Sequence, residues 1–255
     1  MKSFKILTIT ATVAAFTLAL SSFTYKSNHK PVIADKGFAV IELFTSEGCS
    51  SCPPADAVIA KMEKESTDKP IYILAFHVDY WNRLGWRDVF SSAAYSERQN
   101  QYAHWLNLSS VYTPQVVVNG RTEFVGSEEG TLRNAINTNL AKNAVTQIEL
   151  SSIRINQNKA EIQYQTQGKI ANSVLLLAIV QKTATTKVQR GENEGRTLSH
   201  VQIVREIESV SLKSDKGLAS IELPKGFDAH GSEIIAFVQN TLNGEITGAT
   251  KAAIN

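Results

Sequence analysis

From Phe38 to Thr45 the chain is apolar and β-rich, with Glu42 as its one charged position, and it stops at Ser46-Glu47-Gly48. Pro53-Pro54 then opens a helix expected to run to about Glu65, because proline suits the first helical turn, where its missing N–H has no partner to lose. Ile71–Val78 is again β-rich, and Ser91 to about Leu106 is predicted as a helix. Gln115–Val118 and Thr122–Val125 flank Asn119-Gly120, a pair that tolerates the left-handed backbone a two-residue hairpin turn demands. Ser127-Glu128-Glu129 opens a further helix to about Lys142, with Ser127 as the expected cap and the acids facing the positive end of the helix dipole. The order from Phe38 is β-α-β-α-β-β-α.

After Val145 the periodicity changes. Ile162/Tyr164/Thr166, Val201/Ile203 and Ala219/Ile221/Leu223 alternate with polar partners, whereas Val174–Val180 is continuously apolar. Turn signals at Gln157-Asn158, Asp215-Lys216-Gly217, Asp228-Ala229-His230-Gly231 and Asn243-Gly244 separate these stretches, and no helix is needed. Short strands so punctuated predict an antiparallel sandwich. The expected division is residues 37–144 for the α/β part and 145–255 for the β-sandwich.

The N-terminus has its own pattern: Met1-Lys2-Ser3-Phe4-Lys5 is basic, Ile6–Leu20 is apolar apart from threonines, and Ser21-Ser22 is polar. That is the pattern of an export signal over residues 1–22, followed by a polar tether over 23–36, with an uncleaved N-terminal anchor as the alternative and the one expected link to a membrane. The chain is then periplasmic or secreted. Removing Lys2 and Lys5 leaves 24 basic against 24 acidic residues, which supplies no field for collecting nucleic acid. With 43% hydrophobic residues over 255, the core needs no covalent staple, so the two cysteines are not a scaffold.

Both cysteines lie in Cys49-Ser50-Ser51-Cys52-Pro53-Pro54, where a strand feeds a helix N-terminus. Unpaired helix N–H groups favour a thiolate there. Cys49, on the loop side, is the expected nucleophile, and Cys52, further into the helix, is the thiol that resolves a mixed disulfide. Export allows the two to meet as a Cys49–Cys52 disulfide. Zinc is disfavoured because no second cysteine pair and no two histidines separated by three to five residues complete four ligands, and Pro53 stands where covalent haem attachment needs histidine. An inert structural disulfide in a binding or assembly module remains an alternative, as does copper held by Cys49, Cys52 and a histidine such as His77. No cofactor is implied. The expected partners are protein or small-molecule thiols and disulfides, together with a redox partner protein.

Thr113-Pro114 begins the strand of the hairpin, where a cis X–Pro bond could present backbone to a substrate. Combined with the strand-CxxC-helix unit, this is similar to the thioredoxin fold. Four stretches resemble more closely the exported thioredoxin-like family called domain of unknown function 1223: Glu42 to Asp56, His77-Val78-Asp79-Tyr80-Trp81, Tyr112-Thr113-Pro114-Gln115, and Gly195-Arg196-Thr197-Leu198-Ser199-His200. Asn82 departs from the aspartate expected after Tyr80-Trp81. The resemblance implies an α/β thioredoxin-like fold followed by an all-β domain. It also implies that Glu42 is a buried acid taking the Cys52 proton. His77, Tyr80 and Trp81, at the end of the second strand, are expected to line a substrate groove with Thr113 and Pro114. The glycine-punctuated segment Arg190–His200 is expected to fold over the cysteines and bring Arg196 or His200 near Cys49.

Overall fold

The computed structural model describes residues 37–254. Strand β1 (Ala39–Thr45) pairs in parallel with β2 (Ile71–His77) and antiparallel with β3 (Gln115–Val118), which hairpins to β4 (Thr122–Val125). Three α-helices serve this end of the molecule: α1 (Cys52–Glu65), α2 (Ala93–Trp105) and α3 (Glu129–Leu140). The hairpin forms as expected, with φ of 48° at Asn119 and 67° at Gly120. Asn119 also ties the hairpin to β1, accepting from Val40 N at 2.6 Å and donating to Phe38 O at 3.0 Å. Ser127 does not cap α3; Glu128 holds the cap position and no side chain satisfies the first turn.

Every described element after Leu140 is a strand: β5 (Thr146–Asn156), β6 (Lys159–Gly168), β7 (Ser173–Lys187), β8 (Thr197–Ser211), β9 (Lys216–Glu222), β10 (Ser232–Asn240) and β11 (Ile246–Ala253). The described residues are mostly β, and the strands do not divide as expected. Eight form one mixed sheet in the order β11-β10-β7-β8-β2-β1-β3-β4, and β5-β6-β9 form a second, smaller one. This corrects the fold class of an α/β thioredoxin-like fold followed by an all-β antiparallel sandwich. The join is β8, which runs parallel to β2 with Ala75 opposite Ile203, so strands from both halves share one hydrogen-bonded sheet. Alternation shows which face of a strand is buried but not which strand covers its edge.

The apolar residues follow this sheet. On one face, β1 and β2 residues such as Phe44 and Phe76 share a core with Tyr95 and Tyr102 of α2 and with Leu176, Val180 and Phe237 from β7 and β10. The opposite face is covered at one end by α1 and α3 over Ile41, Leu43 and Val116. At its other end the three-stranded sheet packs Ile162 and Ile221 onto Leu175, Leu177 and Ile234. The continuous apolar run in β7 is thereby explained, since alternate residues serve the first and third cores. The expected export signal (1–22), its anchor alternative and the tether (23–36) lie outside the described residues. No helix among the described residues is long and apolar enough to cross a membrane.

Candidate functional site

β1 delivers the chain to Thr45, and a turn closed by Cys49 N–H to Ser46 O (3.2 Å) carries it into α1. Cys49 and Cys52 are disulfide-bonded across this turn, with Cα atoms 5.4 Å apart. Ser50 and Ser51 are exposed, yet Cys49 is 1% exposed and Cys52 is fully buried. Three walls surround the pair.

The first wall is the loop before β3. Thr113–Pro114 is cis, and Thr113 O lies 3.9 Å from Cys49 Sγ. Trp81 adds to it, its Nε1 donating to Thr113 Oγ1 at 2.8 Å while its Cβ lies where only a glycine fits easily at position 48. Tyr80 acts one step back: its hydroxyl donates to Gln99 Oε1 at 3.1 Å, and Gln99 Nε2 donates to Tyr112 O at 2.7 Å. Of the residues expected to line a groove, Thr113 thus touches Cys49, Trp81 holds Thr113, and Tyr80 is linked to the same loop through Gln99.

The second wall is the turn joining β7 to β8. Asn193 is fully buried, and its Nδ2 donates to both Glu47 O (2.9 Å) and Cys49 O (2.8 Å). Glu192 Oε2 accepts from Ser50 N at 3.0 Å. Arg196 reaches the cysteine loop only through Asn193, whose Oδ1 accepts from Arg196 Nη1 at 2.8 Å. The segment does fold over the cysteines, although Asn193 and Glu192 make the contacts expected of Arg196.

The third wall is a buried set of ionisable groups. His200, on β8, lies between Glu47 and Asp56, with Nε2 3.5 Å from Glu47 Oε1 and Nδ1 3.6 Å from Asp56 Oδ2. These are ion pairs rather than aligned hydrogen bonds, and both ring nitrogens and Glu47 Oε1 lack a hydrogen-bond partner. Burial opposes charging His200, but Asp56 and Glu47 outweigh it and lift its pKa to about 9. Glu47 is held on its other oxygen by Trp86 Nε1 at 2.7 Å, and Asp56 by Thr45 Oγ1 at 3.1 Å. The His77 ring meets His200 edge-on at 4.8 Å, and its Nδ1 lies 2.7 Å from Asp88 Oδ2. Burial would raise the Asp88 carboxyl, yet His77 and the N–H groups of Glu47 and Phe90 hold it below the usual carboxylate range. His77 thus belongs to this buried set rather than to an open groove. No group of three or more His, Cys, Asp and Glu side chains among the described residues could hold a metal ion.

Glu42 is the clear correction within the site. It is fully buried, but it faces the α2 side of the sheet with Val40 and Phe44, whereas α1 and Cys52 lie on the other side. Its carboxylate accepts from Arg98 Nε at 2.5 Å and Nη2 at 2.9 Å and from the Tyr102 hydroxyl. The acids near the cysteines are Glu47, Asp56 and, on the exposed side, Glu192. Sequence reasoning missed Glu47 because a carboxylate in a Ser-Glu-Gly turn looks solvated, and it missed Asn193 for the same reason in its loop. A polar cavity of about 360 Å³ lined by Asn119, Arg121, Asn139, Lys142 and Glu245 includes none of these residues.

The profile of the family described as "Protein of unknown function (DUF1223)" matches residues 40–239, and the chain belongs to that family. No curated protein matches the sequence. Among solved structures, an Agrobacterium tumefaciens protein from a structural genomics programme is similar at 25% identity and a TM-score of 0.67, covering 87% of this chain and 97% of its own. A domain of the outer membrane lipoprotein Omp28 from Porphyromonas gingivalis shares 14% identity over 44% of this chain and 97% of its own, with a TM-score of 0.27 that carries no argument.

Proposed function

We propose that this member of the DUF1223 family is an exported thiol–disulfide oxidoreductase working through Cys49 and Cys52 on protein or small-molecule thiols. The observation that carries the reading is the setting of the disulfide, at the start of α1 with Thr113 O against Cys49 Sγ and a buried ionisable cluster on either side in sequence. In the oxidising direction a substrate thiolate attacks Cys49 Sγ. The Cys49–Cys52 bond breaks, and its electron pair leaves on Cys52, which takes a proton. A second substrate thiolate attacks the substrate sulfur of the mixed disulfide. The substrate disulfide departs, and Cys49 is left as a thiolate. A partner disulfide, reduced in turn, restores the pair. The Asp56–His200 pair, with Asp56 one turn beyond Cys52 on α1, lies along the helix face of Cys52, and His200 is the group in it that carries a proton.

The test is trapping. Cys52→Ser should accumulate a mixed disulfide at Cys49 when mixed with the disulfide-linked dimer of an extended ten-residue peptide carrying one cysteine, and Cys49→Ser should accumulate at least tenfold less. Mass spectrometry showing no adduct on either variant would sink the reading. One observation favours the rival of an inert disulfide in a binding or assembly module: Cys49 is 1% exposed. Copper would need Cys49, Cys52 and His77 around one ion, and no three His, Cys, Asp or Glu side chains among the described residues are grouped to hold one.

A further inference from the structure

Cys49 can exchange only if an attacking sulfur reaches it along the S–S axis, and at 1% exposure nothing does. The β7–β8 turn that contributes to this cover is a preformed unit. Val188 N–H donates to Arg196 O and Gly195 N–H to Val188 O, both at 2.9 Å, and Glu194 N–H donates to Gly191 O at 3.1 Å. Its grip on the cysteine loop is polar and directed at backbone: Asn193 donates to Cys49 O and Glu47 O, and Glu192 accepts from Ser50 N. A donor for Cys49 O and an acceptor for Ser50 N are what an extended polypeptide supplies along its own backbone, and a small thiol has neither arrangement. Cys49 O keeps its bond from Cys52 N at 3.2 Å, so displacing the strap removes the second bond to that buried carbonyl together with the Ser50 N contact, and a polypeptide backbone can restore both. An apolar side chain stands open beside the strap. Gly191 packs by Trp86 and the Leu84 carbonyl, and Leu84 is 47% exposed.

Resting on the exchange reading above, we propose that the Val188–Arg196 strap is an internal stand-in for substrate backbone, which restricts the Cys49–Cys52 disulfide to polypeptide thiols and makes Asn193 a specificity-determining residue. Two polypeptide thiols then give one polypeptide disulfide and the reduced pair, with the electrons passing through the Cys49 mixed disulfide.

The experiment compares reduction of the full chain by 2-mercaptoethanol and by an extended ten-residue peptide carrying one cysteine, at equal thiolate concentration. It is done for the wild type, Asn193→Ala and Glu192→Gln. The exposed Glu192 keeps the test open if the buried Asn193 variant folds poorly. The expected result is that the wild type prefers the peptide by at least tenfold. Asn193→Ala should speed mercaptoethanol at least tenfold, Glu192→Gln should speed it less, and the peptide preference should shrink in both. Equal rates across the three proteins overturn the strap and leave the exchange reading standing. An equal gain for both probes overturns the restriction to polypeptides. A pair that a phosphine reduces but that stays oxidised against both thiols in every variant overturns the exchange reading, and the strap's role with it.

Discussion

At the scale of the residue, His200 has the environment most demanding of explanation. An imidazole buried at 3% exposure would ordinarily be neutral, but two carboxylates from different segments face its two nitrogens. Glu47 comes from the cysteine loop and Asp56 from α1, while His77 of β2 and the Phe90 ring close the remaining sides. The folded pKa of about 9 lies above the ordinary 6.5, so this histidine's contribution to stability is complete below about pH 6.5 and is lost as pH rises through about 9. The full effect is on the order of 3 kcal/mol. Denaturant midpoints of the oxidised protein should therefore fall between those pH values, and the fall should flatten in His200→Asn. A midpoint independent of pH in the wild type would show that the ring carries no proton there. Sequence alone marked His200 for its position in a motif. Its charge state depends on Asp56 and Glu47, which lie more than 140 residues away along the chain.

At the scale of the element, the helix α2 shows why a legible residue can have an illegible role. Glu42 stood out as a carboxylate in an apolar strand, and it is buried as that pattern implied. Strand alternation also puts it on the face of Val40 and Phe44, opposite Leu43, which packs beneath α1. Its partner had to come from another element. Arg98 of α2 supplies a bidentate pair, reaches Gln239 of β10 at 3.1 Å and sits over the rings of Phe76, Tyr102 and Phe237. Breaking a buried pair leaves an uncompensated charge and costs about 3–5 kcal/mol. Glu42→Gln should accordingly lower the unfolding free energy by several kcal/mol in a urea titration, while the reduction rate of the Cys49–Cys52 disulfide below the transition stays within about twofold of the wild type. A large rate change with little loss of stability would return Glu42 to the chemistry. The strap between β7 and β8 gives the converse case: its position over the cysteines was expected, and only its working residues differ.

At the scale of the whole molecule, the decisive feature is β8. By pairing in parallel with β2 it closes an edge that would otherwise expose backbone donors and acceptors, and it carries His200 and the strap to the cysteines. A chain comprising residues 37–144 alone would lose that strand and the β7 and β10 side of the core around Phe76. It should show no cooperative thermal transition by circular dichroism, and a sharp one would mean that the N-terminal part is self-sufficient. The sequence by itself determined the elements, because hydrophobic period, proline position and Asn-Gly turn chemistry act over a few residues: the β-α-β-α-β-β-α order, the hairpin at Asn119-Gly120 and the all-strand stretch after Val145 all follow from it. It also determined the covalent pair, since Cys49 and Cys52 are its only cysteines. Tertiary structure alone decided that the two halves share a sheet, that Glu42 faces Arg98, and that Glu47, Asp56, Asn193 and His200 meet around the disulfide. Edge pairing and buried charge partners join residues far apart in the chain, so their energies depend on the assembled fold and leave no local period to read.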